Sequence, residues 1–297
     1  MKIKGLIAAV ATPMYENGEV NYQAIDDYAE FLIARGVDGA FVNGTTGEGI
    51  LMDGDERKRV AERWMKFADR LSILVHVGST SYKMAADLAL HAEKIGAKAI
   101  SAMGPCFLQP RNVEELVEFN RLVAAAAPNT PFYYYNIPVT SGVKVGMREF
   151  IALAAERIPT FNGIKYTSYD SWEELDCIRF DGGRFDILHG HDEAFLTGLL
   201  LGATGGIGTT YNVTSRIYRR IIAAFEAGDL KKAVDLQYEA NKVVKICCDA
   251  YNSVVGIKAM LEILGVPAGS CRLPQPRFPK ENYALMEKAM REFDWLF

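Results

Sequence analysis

Eight times along this 297-residue chain, a short apolar run gives way to a longer amphipathic stretch. The runs fall at 6–12, 39–45, 72–78, 98–103, 132–137, 162–167, 185–190 and 204–209. Their length and β-branched content suit buried strands. The intervening stretches fall at 24–34, 55–67, 84–95, 115–125, 148–155, 172–178, 194–201 and 215–227. Each has helical periodicity; in the first, Ile25, Tyr28, Ala29 and Leu32 share one face. Eight such units at about 28 residues each predict an α/β fold, a (β/α)8 TIM barrel over residues 1–228. A doubly wound open sheet fits less well, because the first run ends in Ala11-Thr12-Pro13 and not in a glycine fingerprint. Beyond the eighth unit the pattern stays helical at 230–250, 254–264 and 281–297. These read as a C-terminal three-helix extension, residues 229–297, packed on the barrel.

Composition narrows the partners. Net charge is −4, and no cluster of Lys and Arg offers a face to nucleic acid. No apolar run approaches the ~18 residues of a membrane span. The start, Met1-Lys2-Ile3-Lys4 followed by Leu6 to Ala11, has the outline of a signal peptide. Its apolar run is short and stops at Thr12-Pro13 as a strand would, so it is assigned to the first strand. The five cysteines, Cys106, Cys177, Cys247, Cys248 and Cys271, form no CxxC pair. They read as reduced thiols of a cytoplasmic protein. The charged run 53–59 places acids before bases, which suits a solvated helix start.

In a barrel of this kind, chemistry sits at the C-terminal ends of the strands. The sixth run contains Lys165 within Gly163-Ile164-Lys165-Tyr166-Thr167. An unpaired ammonium buried there would lose several kcal/mol of hydration or more. Buried amines avoid that loss by becoming neutral, and a neutral amine forms Schiff bases with carbonyl compounds. The plainer reading is a lysine snorkelling to a carboxylate. The second run ends in Asn43-Gly44-Thr45-Thr46-Gly47-Glu48-Gly49, where glycines let backbone N–H groups approach an anion. No Lys-Ser/Thr follows, so a small carboxylate suits it better than a nucleotide. Alternation along Tyr133-Tyr134-Tyr135 puts Tyr133 and Tyr135 on one face and Tyr134 on the other. Tyr135 is then a phenol at a strand end, a candidate general acid and base. His189-Gly190-His191-Asp192-Glu193 has two readings. One is a metal set of His189, His191 and Asp192; the other is a pair of acceptors, Asp192 and Glu193, for sugar hydroxyls. Of the remaining histidines, only His76 lies where it could join a site.

Three segments, Gly44-Thr45-Thr46-Gly47-Glu48, Tyr135-Asn136-Ile137-Pro138 and Gly163-Ile164-Lys165, resemble the signature motifs of the dihydrodipicolinate synthase/N-acetylneuraminate lyase family of class I pyruvate aldolases. The resemblance spans nearly the whole chain, including the helical tail. The segments 137–143, 190–193 and 202–212 look like the lyase branch. The synthase branch is expected to carry an arginine where this chain has Thr140, and tyrosines where Cys106 and Phe107 follow Pro105. The chain departs from many lyases at Thr45 and Thr209, where serine is usual. The resemblance implies a Schiff-base aldolase that reversibly cleaves N-acetylneuraminate, a sialic acid, to pyruvate and N-acetylmannosamine. The alternative is a related aldolase or dehydratase for another 2-keto-3-deoxy sugar acid. Lys165 would form the imine and Tyr135 would move the proton. Thr45 and Thr46 would hold the carboxylate, and Thr167, Gly190, Asp192, Glu193 and Thr209 would read the hydroxyl groups. The resemblance further implies a homotetramer, with neither metal nor organic cofactor, since the lysine is itself the electron sink.

Overall fold

The computed structural model describes residues 1–297. Eight strands run β1 (Gly5–Ala9), β2 (Gly39–Val42), β3 (Ser72–His76), β4 (Ala99–Ala102), β5 (Phe132–Asn136), β6 (Phe161–Tyr166), β7 (Asp186–His189) and β8 (Gly205–Gly208). All neighbours are parallel, and β8 pairs back onto β1, so the sheet closes. The helices around and beyond it are α1 (Ala24–Ala34), α2 (Gly54–Met65), α3 (Tyr82–Lys94), α4 (Val113–Ala124), α5 (Pro138–Ser141), α6 (Met147–Arg157), α7 (Ser171–Arg179), α8 (Phe195–Leu201), α9 (Tyr211–Glu226), α10 (Leu230–Asp249), α11 (Ser253–Ile263) and α12 (Tyr283–Met290). The (β/α)8 TIM barrel with C-terminal helices is therefore as expected. No helix is long and apolar enough to cross a membrane.

Alternation along each strand divides the apolar residues between two cores. The larger, of 72 buried residues, lies between the barrel wall and the helices and includes Tyr134, Ile164 and Tyr166. The smaller fills the barrel interior with Ile7, Phe41, Leu74, Tyr133, Tyr135, Leu188 and Ile207. Toward its lower end, Tyr133 donates a 2.8 Å hydrogen bond to Asp186, which also accepts from the Ile3 N–H at 2.8 Å and from Thr204 at 3.0 Å. That end is thus sealed by a paired polar plug, leaving the opposite mouth for chemistry.

Three expectations need correction. The strands stop one to three residues before the apolar runs do. The chain leaves the ladder there to make the loops of the mouth, as at Asn43, whose φ of 60° cannot continue a strand. The run 281–297 is not one helix: α12 ends at Met290, and Phe293 and Leu296 turn inward to be buried. The charged run 53–59 begins a capped helix, with Asp53 and Glu56 forming a reciprocal capping box. It is not wholly solvated, however. Arg57 is buried and donates to the carbonyls of Gly78 at 2.9 Å and His76 at 2.7 Å.

Candidate active site

Lys165 points into the barrel because Gly163 and Lys165 alternate with outward-facing Ile164 and Tyr166 on β6. Glycine is required at 163, since a Cβ there would lie 1.8 Å from the carbonyl oxygen of Asp186. The lysine is 4% exposed. Its Nζ sits 3.9 Å from the ring centroid of Tyr135 and 4.5 Å from that of Phe41. The other buried lysine, Lys258, is held by Glu48, whereas Lys165 makes no ion pair. Tyr135 lies opposite Lys165 in the β5–β6 register. Phe41 and His76 pack edge-on against the Tyr135 ring at 5.7 and 5.6 Å. Burial, then the charges of Arg57 and Lys165, push His76 well below the usual imidazole range. The faces of Tyr135 and Phe41 therefore bracket the amine, and the His76 ring packs against both of those rings.

The loop after β2 forms one lip of the cavity. Asn43 and Glu48 both take left-handed backbone conformations and bracket a tight turn. Gly49 is required there, because a Cβ would sit 1.9 Å from the Asn43 carbonyl oxygen. Thr12, three residues past the end of β1, fastens the turn by donating to the Gly47 carbonyl at 2.6 Å. Within the loop, the N–H groups of Glu48 and Gly49 reach backbone carbonyls, but those of Thr45, Thr46 and Gly47 reach none. Free backbone donors beside two hydroxyls make a site for an anion. The Thr45 hydroxyl lies 3.4 Å from the Tyr135 phenol, and that of Thr46 lies 2.8 Å from Thr209.

The facing wall comes from β6, β7 and their loops. The Thr167 hydroxyl is buried without a partner. Gly190 leaves room for it, since a Cβ there would come within 2.1 Å of that oxygen. One carboxylate oxygen of Asp192 accepts from both the N–H and the hydroxyl of Thr210, each at 2.6 Å. Burial raises its pKa to about 6 against the opposing pull of those two bonds. Glu193 accepts from Tyr169 at 2.5 Å, and the Tyr169 ring stacks on His191 with centroids 3.9 Å apart. Lys165, Tyr135, Thr45, Thr46, Thr167, Gly190, Asp192, Glu193 and Thr209 all line one cavity of about 230 Å³.

The histidine pair is not brought together as a ligand set. His189 faces the buried Glu174, 2.8 Å from its Nδ1, and no three metal-ligating side chains converge anywhere. Cys106 lines a separate cleft with Ile50, Met52, Arg57 and Met84. Sequence reasoning missed Phe41, which looks like any core aromatic. It also missed Val244, Cys248, Ser253 and Val254, which α10 and α11 contribute to the cavity. These positions lie 79 or more residues beyond Lys165 and carry no signal of proximity.

A profile of the dihydrodipicolinate synthetase family matches residues 2–292. The chain belongs to the dihydrodipicolinate synthetase family. The resemblance drawn from segments 44–48, 135–138 and 163–165 is borne out at that level. Within the family, the N-acetylneuraminate lyase of Mus musculus is 38% identical over 99% of this chain and 94% of its own length. The structure of the Proteus mirabilis N-acetylneuraminate lyase superposes with a TM-score of 0.96 at 39% identity, covering 100% of both chains. That of the Aliivibrio salmonicida N-acetylneuraminate lyase, a sialic acid aldolase, gives 0.96 at 37% identity over 100% of this chain and 99% of its own.

Proposed function

We propose that this enzyme is a Schiff-base lyase that reversibly cleaves N-acetylneuraminate to pyruvate and N-acetylmannosamine. The observation that carries the reading is Lys165, a buried amine without a carboxylate partner, capped by Tyr135 in a cavity lipped by free N–H groups and hydroxyls. Full-length similarity to sialic acid aldolases supports the choice of substrate.

In this scheme Thr45 and Thr46 hold the substrate carboxylate. Lys165 attacks the C2 ketone of the open-chain sugar, and loss of water gives the imine, which is protonated. Tyr135 takes the proton of the C4 hydroxyl as the C3–C4 bond breaks, lending its own proton to the substrate carboxylate until C3 is protonated. The bonding electrons pass through the imine to its nitrogen, leaving an enamine and releasing N-acetylmannosamine as the aldehyde. Tyr135 returns its proton to C3, and hydrolysis frees pyruvate and the amine. Thr167, Gly190, Asp192, Glu193 and Thr209 read the hydroxylated chain. Neither metal nor organic cofactor enters the scheme. We assign catalysis to a barrel of residues 1–228 carrying an extension of residues 229–297, and expect a cytoplasmic homotetramer, which light scattering would weigh directly.

The test is pyruvate release from N-acetylneuraminate in the presence of EDTA, with Lys165→Ala as control. Release by the wild type alone supports the scheme, and full activity in Lys165→Ala ends it. If the wild type releases pyruvate only from other 2-keto-3-deoxy sugar acids, the imine chemistry stands and the substrate assignment falls.

A further inference from the structure

Glu48 is an odd residue for its position. Its backbone is left-handed, with φ of 54°, a conformation that glycine or asparagine adopts more readily. Its carboxylate is nevertheless buried, with a cationic partner at one oxygen and an N–H partner at the other. One oxygen pairs with the ammonium of Lys258 on α11 at 2.5 Å, both side chains being 2% exposed or less. The other accepts the backbone N–H of Arg272 at 2.7 Å. Lys258 donates in turn to the Ser270 carbonyl at 2.9 Å. The Arg272 guanidinium spans Glu56 at 2.7 Å, the Leu51 carbonyl at 2.9 Å and the Gly18 carbonyl at 3.1 Å. The segment 258–272 thus grips the β2–α2 connection at several points, from more than 200 residues away. Glu48 does not line the cavity, while Thr45 and Thr46, three and two residues before it, do.

We infer that Glu48 is a positioning residue for carboxylate recognition. Held by Lys258 and Arg272, it fixes the turn in which Thr45 and Thr46 present N–H and hydroxyl groups to a 2-oxo acid. The C-terminal segment is then part of the recognition apparatus. This rests on the proposed function, in which those two threonines bind the substrate carboxylate. A donor displaced by about 1 Å is enough to weaken such a site heavily.

The experiment is borohydride trapping on Lys165, followed by mass spectrometry, with two carbonyl probes. Pyruvate carries the carboxylate and hydroxyacetone lacks it. Glu48→Gln should raise the half-saturating pyruvate concentration roughly tenfold, while hydroxyacetone trapping stays within about twofold of wild type. Since Glu48→Gln leaves the Lys258 ammonium buried and unpaired, the charge-free double variant Glu48→Gln/Lys258→Met is measured beside it. It should recover thermal stability and keep the pyruvate defect. An unchanged pyruvate half-saturation in a folded variant overturns the inference, as does equal loss with both probes, which marks a merely structural role. Failure of the wild type to trap pyruvate overturns the proposed function and this inference with it, an outcome distinct from the other two.

Discussion

In the proposed scheme, one side chain, Tyr135, carries two functions. Its ring covers the Lys165 amine at 3.9 Å, and its hydroxyl reaches toward Thr45 at 3.4 Å. Tyr135→Phe keeps the ring and removes the proton carrier. Turnover of N-acetylneuraminate should fall by ~10²–10⁴-fold, as expected for loss of a positioned acid-base group. Pyruvate should still be trapped on Lys165, because imine formation needs the amine and the cradle. Asp192 supplies a pH signature. Its carboxyl, raised by burial to about 6, holds its proton below that value and is a charged acceptor above it. KM for the sugar acid should therefore rise as pH falls through about 6. Asp192→Asn should flatten that inflection in steady-state kinetics. Both residues were legible because polar groups at the C-terminal ends of barrel strands are unusual in a chain whose strands are otherwise apolar. Phe41 and His76 were harder to read: their contribution is to pack, and packing partners are set by the register between strands.

At the level of elements, the eight-fold rhythm was legible because period 2 and period 3.6 leave different apolar spacings. Element ends were less so. β2, for example, stops where Asn43 takes a left-handed conformation and diverts the chain, and that does not show in periodicity. The same holds for the single turn α5, started by Pro138 at its first position, which is too short to show a period. α11 offers a test of an element whose end matters to the cavity. Asn252 accepts from the N–H groups of Val254 and Val255 at 3.0 and 3.1 Å, and Ser253 and Val254 line the cavity. Asn252→Ala removes this cap, a loss of about 1 kcal/mol. Amide exchange at Val254 and Val255 should speed up by about fivefold, with weaker sugar-acid binding. Unchanged exchange would show that tertiary packing alone holds the helix start.

For the whole molecule, closure of the sheet sets every distance in the site. Lys165 and Tyr135 are 30 positions apart in the chain yet adjacent in register. Thr46 and Thr209 come within hydrogen-bond reach only because β8 returns to β1 and β2. The tail helices illustrate the limit of local reading. Their periodicity predicted that they pack on the barrel, but not that α10 and α11 wall the cavity, nor that Lys258 would find Glu48.

The sequence by itself determined the order and type of elements, the closed barrel they imply, the family, and the polar residues gathered at one mouth. These follow from spacing, from alternation and from short motifs, all of which are local. Only the tertiary structure decided what the amine faces, which N–H groups stay free, how Asp192 is buried, and which distant helix holds the loop after β2. Each of those is a matter of desolvation or of a contact across the closed sheet, and burial and contact exist only once the chain has come together.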